Sequence, residues 1–270
     1  MKIDFLKMSG TGNDFVMVDN RENIIPADKR SLFAAAVGPR KTAIGCDGII
    51  LLEQDDQTII MRFLNPDGSE VDMCGNGARC FASFLKKVGA AGDTAEFQTG
   101  AGIIRSELTD RGVKVQLTEP APIREIKGLP VNETPLNVFF INTGVPHVVL
   151  FVNDIEDIDI RKTGSAIRYH QHFAPAGTNA NFVKKNRPSD ILVRTYERGV
   201  EDETLACGTG SVASALVYAA RKNATSPVKV TVRSGEPLWV YFKRNGDSFQ
   251  NVFLEGAATV TFSGSVEWNG

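Results

Sequence analysis

The chain has 270 residues, 42% of them hydrophobic, with a formal net charge of −2 and a pI near 6.0. That suffices for one large core or two medium ones and leaves no basic surface that calls for nucleic acid. No apolar stretch approaches the ~18 residues of a transmembrane helix. The N-terminus lacks a secretory h-region, and four cysteines do not make a disulfide scaffold, so a reduced, cytoplasmic protein without a membrane partner is expected.

In chain order, short apolar runs bounded by polar turns predict strands after Phe15 and near Ile49 and Ile59, with a helix around Lys29 to Arg40 between the first two. A helix then begins near Asn76, and a meander of strands with Gly-rich turns runs from Ala95 to Pro120. The second half repeats the theme, with strands near Asn137, His147, Asn179 and Asp190, a helix after Cys207, and further strands from Val228 onward. Arg244-Asn245-Gly246-Asp247 predicts a hairpin turn.

One motif occurs twice. Cys74-Gly75-Asn76-Gly77 and Cys207-Gly208-Thr209-Gly210 each open about four turns of small and apolar residues at helical spacing. Gly10 to Val16 also matches Gly177 to Val183 at its Gly, Thr, Phe and Val positions, and Met61-Arg62-Phe63 leads to the first cysteine as Val193-Arg194-Thr195 leads to the second. Repeated order favours a duplicated α+β unit. Two lobes with a cleft between them are expected, residues 1–121 joined by a final strand at 259–270, and residues 122–258, with the boundary where EPAPIREIK interrupts the strand pattern.

A cysteine at a helix N-terminus sits at the positive end of the backbone dipole, which favours thiolate. The glycines behind it leave amides uncovered that can hold a carboxylate or a developing oxyanion. The bland alternative for both is a small buried residue. Cys46 and Cys80 have no counterpart, and Cys80 reads as core. Zinc needs closely spaced pairs that are absent. A phosphatase loop needs arginine six residues after its cysteine, whereas Arg79 comes at five, and a single nucleophile does not explain a duplicate. No Walker A sequence or recognisable pyridoxal phosphate lysine is present, so no cofactor is expected and the thiols carry the chemistry.

His147 stands in a turn between two strands, while His170 and His172 suit a surface. Glu197 and Arg198 end a strand one loop before Cys207, where they can activate the thiol and clamp a carboxylate. Asn13, Asn65, Asn76 and Asn179 sit in turns, which asparagine favours in any case, but converging amides also suit a zwitterionic ligand.

In this order, GTGNDF, NPDGSEVDMCGNGARC, NTGVPH, GTNANF and YERGVEDETLACGTGS resemble the diaminopimelate epimerases over most of the chain. The resemblance implies two pseudo-symmetric lobes, each a barrel-like, mostly antiparallel sheet around a central helix. It implies cofactor-independent interconversion of LL- and meso-diaminopimelate in lysine and peptidoglycan precursor biosynthesis. Cys74 and Cys207 match the acid/base pair, with His147 and Glu197 assisting Cys74 and Cys207 respectively. Asn13, Asn65, Asn179, Glu197 and Arg198 match substrate contacts, as do Gly75, Asn76, Gly208 and Thr209. Val145 and Gly48 depart from the asparagine and glutamine of some members. The expected partner is a small amino-acid substrate, with a homodimer as the candidate assembly. A racemase or dehydratase acting on a proline derivative, and a non-catalytic thiol-rich binding module or redox sensor, are the rival readings.

Overall fold

The structure, a computed structural model, describes residues 1–246 and 248–270. The chain divides into two compact units, Met1–Gln116 with Glu255–Gly270, and Leu117–Leu254. The hairpin turn at Arg244 to Gly246 is described, and Asp247 lies outside the described residues.

The first unit opens with an antiparallel hairpin, β1 (Lys2–Gly10) and β2 (Asn13–Asp19), paired at Gly10 and Asn13. Its two-residue turn has Thr11 at φ 56° and Gly12 at φ 90°, and both positive values suit the right-handed twist of the flanking strands. A crossover carrying α1 (Arg30–Val37) brings β3 (Gly48–Asp55) parallel to β2, as a parallel pair requires. Next come β4 (Thr58–Leu64), the short β5 (Glu70–Val71) and α2 (Gly75–Lys87). A meander of β6 (Thr94–Thr99), β7 (Gly102–Thr109) and β8 (Gly112–Gln116) closes the segment.

The second unit starts with β9 (Arg124–Val131) and β10 (Thr134–Asn142), and β11 (Pro146–Phe151) turns back on β10. A crossover carrying α3 (Ile160–Arg168) places β12 (Asn179–Arg187) parallel to β11. The rest is β13 (Asp190–Glu197), β14 (Asp202–Thr204), α4 (Gly208–Lys222), β15 (Val228–Thr231), β16 (Pro237–Asn245) and β17 (Ser248–Gly256). The last strand, β18 (Thr259–Glu267), pairs antiparallel with β1.

Strand alternation divides each sheet into two faces. In the first unit Val16, Val18, Ile49, Leu51 and Leu64 pack with Phe33 of α1. In the second, Val148, Leu150, Ala180, Phe182 and Tyr196 pack with Ile160 and Ile167 of α3. The opposite faces turn to the cysteine helices. Every residue of α2 from Gly75 to Leu85 is buried, and the helix packs on β1, β2, β3, β6, β7 and β8. In α4, Gly210 to Ala219 are all buried among β10, β11, β12, β13, β15 and β16. A helix buried all round is apolar or small-residue on every side, which is the composition both segments carry apart from Asn76 and Arg79 of α2.

Three details differ from expectation. The segment at the predicted boundary is strand from Arg124, although its exposed, charged positions mask the pattern. Helix α3 gives no strong signal because Gly164 interrupts it. A Cβ there would lie 2.7 Å from Tyr196 Cγ, so the glycine lets the helix close on β13, and Asp159 caps its start by accepting from the Lys162 N–H at 2.9 Å. The third difference concerns the repeat. Gly10 to Val16 form the β1–β2 hairpin, whereas Gly177 to Val183 enter β12, the third strand of the other succession. By strand pairing, Phe15 faces Gly48 as His147 faces Asn179, so Phe15 corresponds to His147 and Ile50 to Asn181. The matching letters are out of phase with the structural repeat. The match leading to the cysteines is in phase, since Phe63 pairs with Val71 and Thr195 with Thr204.

Candidate active site

Cys74 and Cys207 occupy the same place in the two units. Each follows a short strand by three residues, has extended backbone (φ −136° and −126°), and is the N-cap residue of α2 or α4. The first helical bonds run from the Ala78 N–H to the Cys74 carbonyl (2.7 Å) and from the Ser211 N–H to the Cys207 carbonyl (2.9 Å). The three preceding amides in each helix therefore have no intrahelical acceptor and point toward the start of the helix. Positive dipole ends and oriented N–H groups favour anions there, whether a thiolate or a ligand carboxylate. The third residue must be glycine. A Cβ on Gly77 would sit 2.9 Å from Ile50 Cδ1, and one on Gly210 would collide with Asn181 Oδ1. These matching contacts independently pair Ile50 with Asn181.

Around Cys74 the polar framework is built on a buried cation. Arg79, fully buried on α2, donates from Nη2 to Asn76 Oδ1 (2.9 Å) and to Thr11 Oγ1 (2.7 Å). Thr11 is a β-branched residue in left-handed backbone, a costly conformation that this bond helps to hold. Asn76 Nδ2 donates to Asn13 Oδ1 (2.6 Å), and Asn13 Nδ2 donates to Asp47 Oδ2 (3.1 Å). Asp47 and Asp14 share Arg40, and Lys7 pairs with Asp14 at 2.6 Å. Partial burial pushes the Asp14 carboxyl up, but hydrogen bonds from Arg40 and Lys7 outweigh it and bring it down to about 2. The Asn76 side chain is thus turned into the protein, and its backbone amide is the group left for a ligand.

Asn65 lies at the exit of β4 and donates from Nδ2 to Ser69 Oγ (2.9 Å) within its turn. Gly48, one of the departures from the family pattern, is explained by its neighbour. A Cβ there would collide with the Phe63 ring, whose Cζ would lie 3.0 Å away, so Phe63 fills the volume a larger residue at 48 would need. Cys46 and Cys80 are buried, and burial pushes their thiols up to about 11 and about 12. Both belong to the core.

Around Thr209 the framework is built on a neutral ring. His147 is not in a turn but in β11, completely buried. Its Nδ1 meets Asn181 Nδ2 at 3.1 Å and its Nε2 meets Thr209 Oγ1 at 3.0 Å. Burial first, and then the charge of Arg198, lower its pKa to about 3. With both nitrogens engaged and its basicity depressed, the ring holds the Thr209 side chain in place. Thr209 is also anchored through its carbonyl, which accepts from Thr143 Oγ1 at 3.1 Å, and its hydroxyl lies 3.6 Å from Cys207 Sγ.

Asn179 Nδ2 donates to the Pro146 carbonyl (2.9 Å), and its Oδ1 accepts from the Arg198 N–H (2.8 Å). It joins the start of β11 to the end of β13 and retains one N–H and one lone pair for a ligand. Glu197 Oε2 accepts from Thr204 Oγ1 at 2.8 Å, three residues before Cys207. Arg198 donates to the Ala176 carbonyl (3.0 Å) and lines a depression of about 340 Å³ with Arg124, Asn142 and His172. Among the described residues no group of three or more His, Cys, Asp or Glu side chains is placed to hold a metal ion, and no helix is long and apolar enough to cross a membrane.

The sequence model described as diaminopimelate epimerase matches residues 5–122 and 139–260. The chain belongs to the diaminopimelate epimerase family. A relative of that name from Aquifex aeolicus (strain VF5) is 42% identical over 274 residues, 97% of this chain and 97% of the relative. Among solved structures, a Bacillus anthracis phenazine biosynthesis protein of the PhzF family matches with TM-score 0.77 at 15% identity, covering 99% of this chain and all of that one. A hydroxyproline epimerase from Agrobacterium vitis, with bound trans-4-hydroxy-L-proline, matches with TM-score 0.70 at 13% identity over 98% of this chain and 92% of its own. Those two likenesses concern the fold, a mixed α+β architecture with few helices. The family makes the chain an isomerase.

Sequence reasoning missed Arg79, Asn181 and Asp47 as members of these frameworks. Arg79 left a signal, a cation inside an otherwise apolar helix face. Asn181 was obscured because the out-of-phase repeat sets it against Asp14.

Proposed function

We propose that the chain interconverts LL- and meso-diaminopimelate, with Cys74 and Cys207 as two thiols acting on one α-carbon. The observation that carries this reading is the duplicated helix start, a cysteine N-cap followed by Gly-x-Gly with oriented amides, once in each unit. One cysteine, as thiolate, removes the α-proton from one face, and the other, as thiol, delivers a proton to the opposite face. A single base tends to return its proton to the face it came from, so inversion is served by two. Thiols suit the task because an ordinary pKa of ~8.5 is brought toward neutrality by a helix N-terminus. The amides of Gly75, Asn76, Gly208 and Thr209 hold the α-carboxylate and the charge that develops on it. Asn13, Asn65, Asn179, Glu197 and Arg198 contact the substrate, with Glu197 also assisting Cys207.

The product feeds lysine and peptidoglycan precursor synthesis. Reduced thiols suit the cytoplasm, neither nucleic acid nor membrane is a partner, and a homodimer is the assembly to test by sedimentation. Epimerisation of LL-diaminopimelate is followed for Cys74→Ser and Cys207→Ser, with proline offered in parallel. Each variant is expected to lose about 10²–10⁴-fold in rate and the parent to leave proline unchanged. Full activity in either variant removes the two-thiol mechanism.

A further inference from the structure

We propose that Asn181, His147 and Thr209 form a hydrogen-bond relay that aims the Thr209 hydroxyl hydrogen at Cys207 Sγ and holds that sulfur as thiolate in the resting enzyme. The direction of every bond follows from the far end. Thr195 Oγ1 donates to Asn181 Oδ1 at 3.0 Å, and Asn181 Nδ2 donates to the Val148 carbonyl at 2.9 Å. A carbonyl only accepts, so the amide cannot be turned over, and its second N–H points at His147 Nδ1 at 3.1 Å.

His147 Nδ1 is therefore the acceptor. A neutral imidazole that accepts at Nδ1 carries its hydrogen on Nε2, and burial together with the nearby Arg198 charge keeps this ring neutral. Nε2–H donates to Thr209 Oγ1 at 3.0 Å. With its oxygen occupied by that donor, the Thr209 hydroxyl sends its own hydrogen outward, toward Cys207 Sγ at 3.6 Å. A hydrogen bond to a charged acceptor is stronger than one to a neutral acceptor, so the relay favours thiolate over thiol. Glu197, ending β13 and bonded to Thr204, and Arg198, whose backbone N–H donates to Asn179, are the charged groups beside this arrangement.

The positions are specific to this unit. The corresponding residues of the first unit, Phe15 and Ile50, carry no hydrogen-bonding side chain, and the residue matching Thr209 is Asn76, held by Arg79. In this repeat the second unit places polar side chains at buried strand positions, His147 and Asn181 among them, where the first unit has apolar ones. Asn181 and His147 are positioning residues that act through Thr209.

The proposal rests on the reading of Cys207 as a reacting thiol, and its test is made on resting protein without substrate. The ring nitrogens of His147 are observed by ¹⁵N NMR, and alkylation of each cysteine by iodoacetamide is followed against pH by mass spectrometry. The expected result is a hydrogen on His147 Nε2 with Nδ1 bare. Thr209→Val should slow Cys207 alkylation about tenfold near neutral pH, while Thr209→Ser keeps the parent profile. A ring protonated on Nδ1, or a Cys207 profile that Thr209→Val leaves in place, overturns the relay. A chain that failed to epimerise diaminopimelate would still give either result, so the two failures are distinguishable.

Discussion

In the first unit the residue two past the cysteine is Asn76, locked by a buried guanidinium and by Asn13, while in the second it is Thr209, backed by a neutral histidine and an asparagine. The backbones around them follow one plan, a parallel strand pair, a short antiparallel strand, a cysteine and a buried helix. The polar wiring does not. Ion pairs and a buried arginine hold one helix start, and a chain of uncharged donors and acceptors holds the other. Duplication therefore accounts for the two cysteines, and divergence at Phe15/His147, Ile50/Asn181 and Asn76/Thr209 gives them different polar surroundings.

The comparison breaks most readily at Arg79. Arg79→Met leaves Asn76 and Thr11 without their donor and is expected to cost about 2–4 kcal/mol of stability, read by thermal unfolding. A neutral result would mean that the guanidinium does not organise the first helix start. Replacing His147 and Asn181 by their first-unit counterparts, Phe and Ile, sharpens the contrast. The double variant leaves buried Thr195 without its acceptor and should be about 1–3 kcal/mol less stable than the parent, and its folded fraction should lose about tenfold in kcat with KM little changed. A parent-like kcat would show that the polar pair serves only packing.

Acid sensitivity separates the frameworks further. His147 titrates at about 3 in the fold against an ordinary value of 6.5, so the unfolded chain binds the extra proton between those values. Stability is then lost as pH falls from 6.5 toward 3, and His147→Gln should flatten that slope in denaturant titrations. Asp14, brought down from 3.8 to about 2, acts lower on the scale and more weakly because it is partly solvated. Its stabilisation is complete above 3.8 and lost as pH falls toward 2, and Asp14→Asn should remove only that last portion of the acid dependence.

Much of this was legible in the sequence and some was not, for physical reasons. Cys-Gly-x-Gly announced both helix starts, because a glycine is needed where a helix presses on a neighbouring strand, as Gly77 does on Ile50. Strand runs near Ile49, Ile59 and Asp190 were readable as short apolar runs bounded by polar turns. His147 looked like a turn residue because Gly144 and Pro146 precede it, yet the proline opens the strand. The correspondence of Asn181 with Ile50 is a matter of strand register, which pairs residues across a crossover and leaves no mark in local composition. Arg79 was visible only as an anomaly, since its partner Thr11 lies in a distant turn and Asn76, on its own helix, reads as a turn residue.

The central claim, two thiols on one carbon, is tested most directly by the first turnovers of LL-diaminopimelate in deuterated water. The account predicts that newly formed meso product carries deuterium at the inverted α-carbon while recovered LL substrate stays unlabelled. Deuterium appearing in recovered substrate as fast as in product, or product that retains the original hydrogen, would contradict it.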